Sequence, residues 1–207
     1  MSLTVLIILI TVVTSWQGFN QPSFTYKYIF NAYQVSHKKQ WYRMVTHGFL
    51  HADWMHLGFN MLSFYSFGES IEHLFRNEKL FGDTKGMLYY AILYFGGMVF
   101  SSIFSLVKHK NNAHYNALGA SGAVSAVIFT FILIAPSSKM YVFFFPMNSL
   151  IYGIVFLGMS YYMSKKNIDN IGHDAHFWGA IFGFVFPILL QPLFLDSFIS
   201  QVQQMLR

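Results

Sequence analysis

The chain has 207 residues, of which 55% are hydrophobic, 20% aromatic and only 10% charged, too little charge to coat a soluble domain of this size. Its net charge of +5 is spread over short inter-block segments rather than one face, which argues against a nucleic-acid partner and for anionic lipid headgroups. With no cysteine there is no disulfide, no thiolate metal site and no thiol nucleophile.

The apolar residues gather into long blocks, the pattern of an all-α integral membrane protein. Six spans are expected in chain order: Leu3 to Trp16, His56 to Leu74, Gly86 to Val107, Gly119 to Ala135, Asn148 to Met163 and Asp174 to Leu195. The first is short against the ~20 residues that cross ~30 Å of hydrocarbon. It has no basic n-region and no small-residue cleavage site before Trp16, so it is expected to be a retained helix and not a signal peptide. No repeat, low-complexity tract or linker divides the chain, and residues 1–207 read as a single domain.

In such a bundle, spans two, four and six enter from one side, and polar residues stand near each of those ends: His56 and Asn60, Ser121, and His176. At 1.5 Å of rise per residue, Ser121 lies about 22 Å from Pro136, while His176 to Pro192 and Asn60 to Arg76 each span about 24 Å. All three groups therefore sit at one depth, where polar side chains are costly unless they face a bundle interior or a water-filled cavity. His176, Gly179 and Gly183 share one helical face, and the two glycines allow close approach of a neighbouring backbone such as Gly119-Ala120-Ser121-Gly122. That face also suits ordinary small-residue packing.

A serine becomes a useful nucleophile only with a base beside its hydroxyl and donors aimed at the developing oxyanion. His176 suits the base, with an ordinary pKa near ~6.5. His56 and Asn60, four apart on one face, suit the oxyanion role together with the Ser121 backbone N–H. No acid is placed as a third member, because Asp174 precedes His176 by two residues and points elsewhere on the helix. The residues describe a Ser121-His176 dyad that needs neither cofactor nor metal.

From about Tyr42 to Gly183 the chain resembles the rhomboid intramembrane serine proteases. The family's Trp-Arg, His-x4-His-x3-Asn, Gly-x-Ser-Gly and Ala-His-x2-Gly-x3-Gly motifs follow in order as Tyr42-Arg43, as His51, His56 and Asn60, as Gly119-Ala120-Ser121-Gly122, and as Ala175-His176 with Gly179 and Gly183. Gly68 and Glu72 fit its Gly-x3-Glu. The resemblance implies a six-transmembrane-helix rhomboid-like bundle in which Ser121 attacks a peptide bond in or near the transmembrane helix of a protein substrate. It implies His176 as base and then acid, and Asn60, His56 and the Ser121 N–H as the oxyanion hole. It also implies a first loop, about Gln17 to Met55, partly in the bilayer, and a mobile fifth helix and following loop that gate substrate entry. Two departures stand out: Trp of the Trp-Arg pair is Tyr42, and the tyrosine four residues after the nucleophile, whose ring packs on the catalytic histidine, is Ser125. Ring support is then expected from Phe177 or Trp178, if from anywhere.

The remaining polar residues take supporting roles. His51 buttresses the loop and tunes the water cavity, Arg43 anchors at headgroups or caps carbonyls, and Glu72 is a structural hydrogen-bonding partner. Trp16, Phe19, Phe24, Tyr26, Tyr28, Phe30 and Trp41 form an interfacial aromatic belt. His47, His51, His56 and His176 raise a zinc-binding alternative, but no carboxylate completes a hydrolytic site and Gly-x-Ser-Gly would go unexplained. A catalytically silent client-binding relative usually loses the serine or histidine, and a small transporter would show repeat symmetry between its halves. Loops one, three and five carry Lys27, Lys38, Lys39, Arg43, Lys108, Lys110, Lys165 and Lys166, more than the opposite side, so positive-inside counting opposes the family's cytoplasmic N-terminus. The family orientation is retained because the first loop is long and partly embedded, and a bacterial plasma membrane is the expected location.

Overall fold

Helix α1 (Leu3–Asn20) begins where expected but runs on past Trp16. It is capped at Ser2, whose hydroxyl accepts from the Val5 N–H, and its 18 residues resolve the shortness of the predicted span. The computed structural model describes residues 2–142, 145–166 and 172–207. The first-turn donors of α1, which lack partners within the helix, are satisfied by a carboxylate from another helix: Leu3 and Thr4 N–H donate to Glu72 at 2.9 and 2.8 Å. Glu72 also accepts from the Thr4 hydroxyl and from Arg76, and the Thr4 hydroxyl lies 2.6 Å from that of Tyr90. Glu72 thus joins α1 to the second long helix.

The segment expected as a first loop is built from short elements: α2 (Pro22–Tyr28), β1 (Phe30–Asn31), α3 (Ala32–Lys38), α4 (Arg43–Thr46) and a 3₁₀ turn over His47–Phe49. Arg43 is buried at their centre and donates to the Tyr26 carbonyl at 3.0 Å, the Ile29 carbonyl at 2.6 Å and Gln40 at 2.6 Å. Of its two expected roles, carbonyl capping is the one realised, and a guanidinium buried in this way does not report membrane sidedness. The aromatic belt is likewise partial. Trp16, Tyr26 and Trp41 are exposed, but Phe30 is buried against His47, with centroids 5.6 Å apart.

There follow α5 (Trp54–Phe75), α6 (Asp83–His109), β2 (Asn116–Ala117), α7 (Ser121–Ile134), β3 (Lys139–Val142), β4 (Phe145–Asn148), α8 (Ser149–Lys166), α9 (His173–Leu190) and α10 (Leu193–Met205). The two short antiparallel ladders, β1 with β2 and β3 with β4, qualify the all-α expectation without changing the helical character of the chain. Among the described residues, α1, α6 and α9 are long and apolar enough to cross a membrane, and α7 is a shorter apolar helix. Large apolar side chains such as Leu9, Val13, Leu62, Ile154 and Leu189 face outward, as they do toward lipid. These features fit a multi-pass integral membrane protein.

Helix α7 is the axis of the fold. Apolar around its whole circumference, it is buried on nearly every side by α5, α6 and α9. By contrast α8 packs mainly on α9 and buries only Ser149, Gly153 and Ser160. The last expected span ended at Leu195, whereas α9 stops at Leu190, because Gln191 is extended and Pro192 cannot continue the ladder. Helix α10, which the hydropathy blocks did not separate, is amphipathic and returns across the end of α7, where Gln201 donates to the Ile134 carbonyl at 3.0 Å. The loop expected to gate entry after the fifth span, residues 167–171, lies outside the described residues.

Candidate active site

The nucleophile candidate is held through the chain that leads into it. Phe30 and Asn31 pair with Ala117 and Asn116, and Asn31 donates to the Ala113 carbonyl at 2.9 Å. Next, the Gly119 N–H donates to the His47 carbonyl at 3.1 Å, and the Ala120 N–H donates to His51 Nε2 at 3.4 Å. Gly119 has φ of +120°, and a Cβ there would lie 2.8 Å from the His56 ring, so glycine serves both the backbone turn and the close approach of that imidazole. The elements of the first loop thus fix where Ser121 starts α7.

These contacts also settle two imidazoles. Because His51 Nε2 accepts from Ala120, its Nδ1 carries the proton and donates to the Ser15 hydroxyl at 2.9 Å, which in turn donates to the Phe49 carbonyl. His47 Nδ1 donates to the Arg43 carbonyl at 2.9 Å, and its Nε2 lies 3.3 Å from the Ser102 hydroxyl. Both rings are buried and neutral. Burial, and secondarily the nearby His56, push His51 down to about 3, and burial lowers His47 to about 4.

Since both folded values lie below the ordinary ~6.5, the stability that depends on neutral rings is complete above that pH. It is lost as pH falls through about 4 for His47 and about 3 for His51. Each ring then contributes a loss of about 1.4 kcal/mol per pH unit between ~6.5 and its folded value, and no further loss below that. Thermal melting in detergent should fall steadily between pH 6.5 and 4.5, and less steeply in His47→Gln; parallel slopes in the two proteins would show that His47 is not the titrating group.

The two helices bearing the dyad candidates meet backbone to backbone. A Cβ on Gly179 would penetrate the Gly122 carbonyl, and one on Gly183 would penetrate that of Ala126. The buried Thr130 hydroxyl donates across the same contact to the Gly183 carbonyl at 2.7 Å. Gly122 is pressed from its other side by Ser101 of α6, and the Ala175 carbonyl lies 3.5 Å from where its Cβ would be. Small residues on three helices therefore bring the Ser121 turn beside the Ala175-His176 turn.

Ser121, His176, His56 and Asn60 line one cavity of about 1120 Å³, whose wall continues along Ser101 and Ser102. Among the described residues the Ser121 hydroxyl makes no hydrogen bond. The Asn60 side chain donates one N–H to the His56 carbonyl at 2.9 Å, and Asp53 caps α5 by accepting from the His56 N–H at 2.7 Å. Asp174 is engaged by Lys108 at 2.9 Å, a link between the ends of α6 and α9. Among the described residues no group of three His, Asp or Glu side chains converges as a metal site.

The ring expected from Phe177 or Trp178 comes from neither. Trp178 stacks on Phe104, centroids 3.5 Å apart with planes at 3°, and Phe177 packs edge-on against Trp178. Phe156 of α8 instead lies beside His176, at 5.9 Å with planes at 28°. Its position 20 residues before His176, on a different helix, left no local spacing by which the sequence could reveal it. Asp53 was the more legible omission, since an aspartate three residues before His56 is an N-cap signature.

A family profile described as Rhomboid domain matches residues 38–192. The chain is 27% identical over 185 residues to RHOMBOID-like protein 12, mitochondrial, of Arabidopsis thaliana, covering 80% of this chain and 51% of that protein. It is 30% identical over 144 residues to Rhomboid protease GluP of Bacillus subtilis (strain 168), covering 69% of this chain and 25% of that protein. The chain therefore spans about half the length of one curated relative and a quarter of the other.

Proposed function

The chain belongs to the rhomboid family, and from that premise we propose that it is an intramembrane serine endopeptidase acting on transmembrane helices of protein substrates. Its core is six membrane-crossing helices, α1, α5, α6, α7, α8 and α9, in a bacterial plasma membrane with the N-terminus in the cytoplasm. The observation that carries the reading is the single cavity shared by Ser121, His176, Asn60 and His56 at the Gly122/Gly179 crossing.

In this mechanism Ser121 Oγ attacks the scissile carbonyl while its proton passes to His176. The tetrahedral oxyanion is received by the Ser121 N–H, by His56 and by the Asn60 N–H that the His56 carbonyl does not occupy. His176 then protonates the leaving amine, the C–N bond breaks, and the amine product departs. Water entering from the serine-lined wall gives a proton to His176 and adds to the acyl carbonyl. The second tetrahedral intermediate then collapses with cleavage of the C–O bond to Ser121, whose oxygen takes the proton back from His176 as the carboxylic acid product leaves. The Ser121 hydroxyl, which makes no hydrogen bond among the described residues, closes onto His176 as substrate fills the cavity.

The test is cleavage of labelled single-span transmembrane peptides by the purified protein in liposomes. Wild type should release two fragments from at least one peptide. Asn60→Ala should lower the turnover number about a hundredfold, as expected for loss of one oxyanion donor. An unchanged turnover number would reduce Asn60 to a packing residue. Tight binding of peptides by a well-folded wild type that never cuts them would favour the client-binding alternative.

A further inference from the structure

Ser125 lies one helical turn after the nucleophile, is buried and lines the same cavity as His176, so α7 carries no ring at that position. A ring reaches His176 from α8 instead. The Phe156 ring sits 5.9 Å from the His176 imidazole with planes inclined by 28°, within the range of an offset stack. His173 also meets the imidazole edge-on, at 5.7 Å and 79°. Phe156 is braced in turn by Phe129 of α7 and by Tyr152 one turn earlier on α8, each with centroids 5.6 Å away. At Gly153 α8 comes close to Ile132 of α7, whose side chain would lie 3.2 Å from an added Cβ.

Helix α8 is otherwise a peripheral element, with Ile154, Val155, Met159, Tyr161 and Tyr162 exposed. Phe156 is thus its ring contact with the base. Resting on the serine-endopeptidase reading, we propose that Phe156 is the positioning residue for His176, and that the orientation of the base is consequently coupled to where α8 sits. The stack restrains the plane of the imidazole, and that plane governs whether a nitrogen can be presented to Ser121. A ring carried on the same helix as the nucleophile would keep that plane whatever α8 did; a ring on α8 releases it whenever α8 moves away.

The experiment is the second-order rate of labelling by a fluorophosphonate in detergent, a probe that needs an activated serine but no transmembrane substrate. Phe156→Leu keeps apolar volume and removes the ring, and should slow labelling about tenfold at an unchanged melting temperature. Phe156→Tyr should label at the wild-type rate. Adding Ser125→Tyr to Phe156→Leu, which returns a ring from α7, should recover most of the loss; a purely structural role for Phe156 predicts no such recovery. Labelling of Phe156→Leu at the wild-type rate would overturn the inference while leaving the dyad intact, as would a loss that Ser125→Tyr does not relieve in a protein of wild-type melting temperature. Absence of labelling in folded wild type would overturn the endopeptidase reading and the inference together.

Discussion

Ser121→Ala is expected to abolish peptide cleavage, a fall of about a million-fold in turnover number by comparison with serine hydrolases whose nucleophile is removed. The fold should hardly register the change. The Ser121 hydroxyl borders a cavity and makes no hydrogen bond among the described residues, while the start of α7 is held by other contacts. The β1–β2 ladder, the Gly119 N–H on the His47 carbonyl and the Ala120 N–H on His51 all survive the substitution. The melting temperature should therefore match wild type, and this combination separates loss of chemistry from loss of structure. Residual cleavage at the wild-type rate would remove Ser121 from the mechanism.

Gly179→Val should damage stability and activity together. Even the first atom of the new side chain would have to occupy the space of the Gly122 carbonyl, and that carbonyl belongs to the first turn of the helix carrying Ser121. Backbone cannot step aside as a flexible side chain can, so α9 must move away from α7. Overpacking of this kind costs about 1–3 kcal/mol and sometimes more, and it widens the Ser121–His176 gap when a displacement of 1 Å can cost about a hundredfold in rate. Lower thermal stability in detergent and loss of labelling by a serine-directed probe are both expected. A protein that melts like wild type would show that the α7–α9 crossing tolerates separation.

The contrast between what was legible and what was not follows the range of the interactions. His176, Gly179 and Gly183 lie within eight residues of sequence, and their common face could be read from helical periodicity. The close approach of Gly179 to Gly122 and of Gly183 to Ala126 realises that face against α7. Glu72 was recognisable as a structural hydrogen-bonding residue, but its partners, the N–H groups of Leu3 and Thr4, stand near the start of the chain with no spacing that names them.

Phe156 illustrates the same limit at the candidate site itself. The missing ring at Ser125 could be read, but its substitute depends on the packing of α8 against α9, and local sequence pointed wrongly to Phe177 and Trp178. Arg43 shows a different limit. A lone basic residue in an aromatic-rich loop reads equally as a headgroup anchor or a carbonyl cap, and only the folded first loop selects the buried cap and names the Tyr26 and Ile29 carbonyls as its partners. The break between α9 and α10 was only half legible: Pro192 served as a depth marker, but the apolar Leu193, Phe194 and Leu195 beyond Gln191 carried the hydropathy block past the helix end.

The central claim is that His176 activates Ser121, and the most direct measurement is mass-spectrometric location of the adduct formed when the detergent-purified protein reacts with a fluorophosphonate, compared with His176→Ala. The mechanism predicts one phosphonyl group, on Ser121, in wild type and none in folded His176→Ala. An adduct on another residue, or equal modification of Ser121 without the imidazole, would contradict it.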